Sequence, residues 1–235
     1  MIKLLTPNFL NKYSTVILFP AITSCLLLFG IGLYYGLILS PEDYQQGKMV
    51  RVMYIHVPAA WMALGIYIFI GACSLLSIVW KIRIAYIMSV SAAPIGATFA
   101  AITLITGSLW GKPIWGTWWV WDARLTSMLI LFLLYLAYIA VTRAGDDLYR
   151  AEKPAGIVAL IGVINVPIVK FSVDLWNSLH QPASVIKSGG ISIDISMLTP
   201  LLIMFAAYIL YFIALVIIRA KTIMLRLKKQ VYISS

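Results

Sequence analysis

The sequence predicts an all-α integral membrane protein: a single domain over residues 1–235, built as a bundle of six transmembrane helices with both termini on the cytoplasmic side. Three observations predict it. Of the 235 residues 62% are hydrophobic and 11% charged, and the mean hydropathy of +0.96 lies far from the balance of a water-soluble domain. Six apolar runs, at 16–39, 56–80, 85–109, 126–142, 155–176 and 198–218, approach or exceed the length needed to cross a hydrocarbon core, which is about 20 residues. With the N-terminus inside, the cytoplasmic segments carry twelve cations (Lys3, Lys12, Lys81, Arg83, Arg143, Arg150, Lys153, Arg219, Lys221, Arg226, Lys228 and Lys229) against five outside (Lys48, Arg51, Lys112, Arg124 and Lys187). That asymmetry sets the orientation, so the net charge of +10 is a topology signal and gives no support for nucleic-acid binding.

The first run is too long for a signal-peptide core and no A-x-A-like cleavage site follows Leu39, so it is expected as a retained helix. The outer segment SPEDYQQGKMVRVMYI at 40–55 carries Arg51 and leads into the second run, which opens at His56 in YIHVPAAW. The third run is followed by WGKPIWGTWWVWDARLTS, where Trp110, Trp115, Trp118, Trp119 and Trp121 fall within twelve residues, with Asp122 and Arg124 after them. This is the expected tryptophan-rich outer loop between the third and fourth helices. Asp122 stands where it would cap the helix beginning near Leu125; orienting a tryptophan N–H or holding the loop's geometry are further roles open to it.

The short, charged connection RAGDDLYRAEKP at 143–154 leads to the fifth run, in which Lys170 and Asp174 are one turn apart and read as mutually neutralising near the outer surface. The outer segment at 177–197 carries His180 and precedes the last run. Pro20, Pro94 and Pro167 lie inside predicted spans, where each removes a backbone hydrogen bond and favours a kink; Pro58 and Pro200 lie near span starts. Cys25 and Cys73 sit in apolar runs and read as packing residues.

Function is expected on the outer face. His56 and His180, the two histidines of the chain, both fall there, 124 residues apart in sequence. Two unrelated interfacial histidines would satisfy the same pattern. Trp61, Trp80 and Trp176 fit an interfacial belt, but five tryptophans crowded between 110 and 121 exceed what anchoring uses. A single-strand nucleic-acid platform needs a basic groove, and 110–125 offers only Lys112 and Arg124 against Asp122. A quaternary-ammonium cage would use the tryptophans with a cation at their centre. A flat macrocycle accounts for more residues. Two neutral imidazoles bind iron from opposite faces of a porphyrin, tryptophans cover its plane, and Arg51 and Arg124, the two outer arginines, pair with its propionates. Headgroup pairing is the alternative for both arginines.

Trp115, Gly116, Trp119, Trp121 and Asp122 match the tryptophan-rich WGxxWxWD motif, and the chain resembles the haem exporter protein C family of the Ccm cytochrome c maturation system. The segments YIHVPAAW and NVPIVKFSVDLWNSLHQPAS, the size and the six runs extend that resemblance over nearly the whole chain. It implies haem b, held non-covalently at the periplasmic face of the bacterial inner membrane and passed to a periplasmic haem chaperone, the E component. It further implies His56 and His180 as axial ligands and Trp110, Trp115, Trp119, Trp121 and Asp122 as the platform, with Trp118 beside them. Arg51 and Arg124 would face the propionates. The implied partners are that chaperone, a small membrane D component and the ABC transporter subunits A and B. Larger relatives carry extra histidines for a second haem; this chain has none to spare, which argues for one site.

The expected role is binding and hand-over, with no bond made or broken by the protein's own side chains. A cytochrome b-like electron-transfer subunit is the alternative, although it would bury haem between helices. A solute channel would string polar groups through the bundle, where Asn165, Lys170 and Asp174 are few. No phosphate loop supports nucleotide hydrolysis by this chain.

Overall fold

The computed structural model describes residues 7–145, 147–181, 184–185 and 190–234, with side chains described between 14 and 229. Lys3 and Lys187, counted above in the charge asymmetry, lie outside the described residues. Among the described residues seven α-helices follow one another: α1 Pro7–Tyr34, α2 Met53–Trp80, α3 Arg83–Trp115, α4 Ala123–Arg143, α5 Glu152–Val163, α6 Asn165–Leu175 and α7 Ile195–Ser234. Six stretches among the described residues are long and apolar enough to span a membrane: Ser14–Leu39, Lys48–Trp80, Arg83–Trp115, Ala123–Arg143, Leu148–Leu175 and Ile195–Lys229. The protein is a multi-pass membrane protein.

A short π-helical turn, Tyr35–Leu39, closes α1, and a 3-10 turn, Lys48–Val52, leads into α2. The fifth span divides in two at Ile164. Pro167 explains the break: it has no N–H for the carbonyl four residues earlier, that of Val163, and its ring crowds the same group. The Ile164 N–H turns instead to Ile161 O at 3.2 Å.

The third helix corrects the expected loop. It runs on to Trp115, through Pro113, so Trp110 and Trp115 stand on helical turns and the connection proper is 116–122. Gly116, at φ +76°, ends the helix in the left-handed region that favours glycine, with its N–H on Lys112 O at 3.0 Å.

Helix α2 packs on α3, α5 and α7; α4 packs on α3, α5 and α6; and α1 lies along α7. Apolar burial drives helices together weakly in lipid, so close approach and hydrogen bonds between helices hold the bundle. Tyr135 lies against Gly96 and donates to Ala63 O at 2.6 Å; Tyr67 lies against Gly162. Tyr138 donates to Ser89 Oγ at 2.8 Å, and Asn165 Nδ2 donates to Ser127 O at 2.9 Å, tying α6 to α4. These contacts leave one end of the bundle, where α2 and α4 begin and α3 and α6 finish, free to open as a cavity.

Candidate functional site

A cavity of about 470 Å³ occupies that end, within the range of small-molecule and cofactor pockets. It is lined by α2, α3, α4 and α6 and by residues 45–46, 179–181 and 184–185, and both His56 and His180 line it. The chain thus brings its two histidines to one chamber.

Each imidazole is held by a defined partner. His56 Nδ1 lies 3.0 Å from Thr106 Oγ1, and that hydroxyl donates its own hydrogen to Ile102 O at 2.6 Å. Thr106 must therefore accept, which puts the proton on Nδ1 and leaves the Nε2 lone pair unused. His180 Nδ1 lies 3.1 Å from Asp122 Oδ2, a carboxylate that can only accept. The same tautomer follows: among the described residues both histidines leave Nε2 without a hydrogen-bond partner, the arrangement in which an imidazole can serve a metal.

Asp122 uses both oxygens. Oδ1 caps α4 by accepting from Leu125 N at 2.8 Å, as the sequence implied, while Oδ2 takes His180 and the Ser178 hydroxyl at 2.5 Å. Burial alone raises the Asp122 carboxyl, but the bonds from Ser178, Leu125 N–H and His180 outweigh it and hold the group below its ordinary value. Burial also pushes the His180 imidazole below its ordinary value; the Asp122 carboxylate opposes that and the Arg124 charge reinforces it. Asp122 and His180 therefore meet as a carboxylate and a neutral imidazole, through a hydrogen bond.

Tryptophans flank both rings. Trp110 meets His56 edge-on at 5.7 Å between centroids and donates Nε1–H to Gln46 Oε1 at 2.8 Å; Trp115 meets His180 at 4.8 Å. Trp119 also lines the cavity, and its buried Nε1–H has no hydrogen-bond partner among the described residues. Trp118 and Trp121 point elsewhere. They are 55% and 77% exposed, Trp121 edge-on to Trp119 at 5.4 Å and Trp118 beside the Lys112 ammonium. The five tryptophans thus divide into three that wall the cavity and two that face outward.

The two arginines also divide. Arg124 lines the cavity, with Nε 3.3 Å from Ser172 Oγ. Arg51 is not among the lining residues; its guanidinium donates to Leu37 O at 2.8 Å and Ser40 O at 3.0 Å. Leu37 lies in the π-helical turn that closes the first span and Ser40 directly follows it, where terminal carbonyls lack a helical N–H, so Arg51 ties the outer segment to the first span. Lys170, read from sequence as half of a surface pair with Asp174, lines the cavity as its second cation. Among the described lining residues there is no carboxylate.

Sequence reasoning missed Thr106, Gln46, Ser178 and Lys170, and it missed Asp122 as the partner of His180. Gly107 and Gly111 were also missed. A Cβ on Gly107 would lie 3.0 Å from His56 Cε1, and one on Gly111 would lie 2.8 Å from Trp115 Cε3. The spacing Thr106, Gly107, Trp110, Gly111 on one helix carried the signal: a hydroxyl and two glycines on the face that the rings need.

Residues 1–233 match the family model described as Heme exporter protein C. A protein named Heme exporter protein C from Bradyrhizobium diazoefficiens is 53% identical over 189 residues, covering 80% of this chain and 72% of that protein. The protein of the same name from Escherichia coli K12 is 43% identical over 210 residues, 89% and 84% of the two chains. A putative cytochrome c biosynthesis ccmC-like mitochondrial protein of Marchantia polymorpha is 47% identical over 184 residues, 78% of each.

Proposed function

The chain belongs to the Heme exporter protein C family, and from that premise we propose that it binds haem between His56 and His180 and delivers it to a periplasmic haem chaperone during cytochrome c maturation. The observation that carries this reading is the pair of neutral imidazoles in one cavity, each with Nδ1–H engaged and Nε2 free.

The residues present fit haem b as cargo. Trp110, Trp115 and Trp119 give flat apolar walls, Arg124 and Lys170 give cations for the propionates, and the unpaired Trp119 N–H gives a donor. Iron supplies the ligand bonds, and every other part of the task is positioning by the protein. Arg51 serves that task indirectly, by fixing the outer segment whose Gln45 and Gln46 line the cavity. Trp118 and Trp121, exposed beside the cavity wall, form with the 116–122 connection the surface offered to the chaperone. Cargo held in place by two ligand bonds and an aromatic wall can be released when a partner moves that wall.

The remaining assignments follow from the same reading: the bacterial inner membrane, both termini cytoplasmic, the cavity periplasmic, and the D component and ABC subunits A and B as neighbours in the membrane. The test is haem stain on the chaperone in cells carrying Trp121→Ala or His180→Ala, normalised to immunoblotted levels of both proteins. Loss of stained chaperone at unchanged protein levels is expected. Normal delivery by either variant overturns the assignment of that residue.

A further inference from the structure

The two histidines are backed by unlike groups, although sequence gives them equal standing. His180 Nδ1 faces Asp122 Oδ2 at 3.1 Å, and both side chains are nearly shielded from solvent, at 16% and 8% exposure. His56 Nδ1 faces a neutral hydroxyl at 3.0 Å, and that hydroxyl is itself a donor to Ile102 O. A carboxylate partner draws the Nδ1 proton strongly and leaves more electron density on Nε2; a neutral hydroxyl does so weakly.

We propose that the two ligand bonds to the bound haem iron are unequal: His180, backed by Asp122, is the stronger ligand and the last to let go, and His56, backed by Thr106, is the labile one that yields first on hand-over. This rests on the haem reading above. Asp122 is on this account a positioning residue with two tasks joined in one side chain, since the oxygen opposite His180 caps α4 at Leu125. Its place at the end of the 116–122 connection links the exposed Trp121, its immediate neighbour, to the stronger ligand bond.

The change Asp122→Asn isolates the effect. Asparagine caps helices as well as aspartate, so α4 keeps its start, but an amide holding Leu125 N through its oxygen presents NH₂ to His180 Nδ1. The imidazole then loses its acceptor, or takes the other tautomer and places its proton on the ligand atom. Thr106→Val removes the partner of His56 at nearly constant shape.

The experiment uses the full chain in detergent, loaded with haem, and reads the midpoint potential by redox titration and haem loss to excess apomyoglobin. Asp122→Asn is expected to move the potential to more positive values and to speed haem loss about 10- to 100-fold, the usual cost of losing the partner of a ligating histidine. Thr106→Val is expected to leave the potential near that of the unaltered protein and to change haem loss much less. Equal shifts in the two variants, or no shift in Asp122→Asn, overturn the inference. If Asp122→Asn does not fold, Ser178→Ala decides. It removes the hydroxyl that shares Asp122 Oδ2 with His180 and also accepts the His180 backbone N–H at 3.1 Å; a shift to more negative potential with the bis-histidine spectrum kept supports the inference, and an unmoved potential overturns it. A wild-type complex without a low-spin bis-histidine spectrum overturns the haem reading itself, and the inference with it.

Discussion

A methyl group on Gly107 would lie 3.0 Å from Cε1 of His56, so the imidazole rests against bare backbone on the neighbouring helix. Gly107→Ala should crowd the ring away from Thr106 at a cost of about 1–3 kcal/mol, the usual range for an overpacked contact, which if it falls on the bound state is a loss of haem affinity of roughly 5- to 150-fold. Gly65→Ala, on α2 with nothing within 4 Å of the added carbon, should bind haem normally. Haem per protein, measured by absorbance at limiting haem, checks the pair.

The outward and inward tryptophans should separate by phenotype. Trp115→Ala removes the ring beside His180 and should weaken haem binding by roughly 0.5–1.5 kcal/mol beyond its area, the worth of an aromatic pair. Trp121→Ala, at an exposed position, should leave haem binding intact and reduce delivery to the chaperone. Equal loss of binding in both would remove the division between wall and docking surface.

Haem uptake should respond to pH in a stated direction. The ordinary histidine value is near 6.5, and burial, with Arg124, holds His180 below it against the pull of Asp122. A group whose native value is lowered binds fewer protons in the fold than in the unfolded chain. Its contribution is therefore complete above 6.5 and is lost as pH falls through the lowered native value. Iron also requires the neutral ring. Uptake by haem-free protein should stay flat on the alkaline side of 6.5 and decline only below it; a decline centred above 6.5 contradicts the assignment.

Much of this was legible in the sequence because lipid is an unforgiving solvent: six apolar runs and skewed cations leave few alternatives. The two histidines and Trp110, Trp115, Trp119 and Arg124 were legible because such residues crowd at one end without serving the bundle. Arg51 was misassigned to the cargo because sequence shows its charge and depth but not the open carbonyls of Leu37 and Ser40 that take it. The i+4 spacing of Lys170 to Asp174 is visible in the sequence, but its place in the cavity wall is not, because the break at Ile164 that accompanies its placement on α6 depends on Pro167 and its neighbours. The Asp122 to His180 bond joins residues 58 apart, and no local pattern reports it.

Orientation is tested by reporter fusions. Those near 48, 115 and 187 should report periplasm, and those near 83, 148 and 228 cytoplasm. A cytoplasmic signal at 115 places the cavity on the wrong side for a periplasmic chaperone.

The central claim is that one haem is held between His56 and His180, and the absorption spectrum of the purified protein loaded with haem tests it most directly. The account predicts a low-spin bis-histidine spectrum that is lost in His56→Ala and in His180→Ala, partly restored by added imidazole, and unchanged in Lys170→Gln, whose cation lies off the iron. A spectrum that survives the removal of either histidine contradicts it.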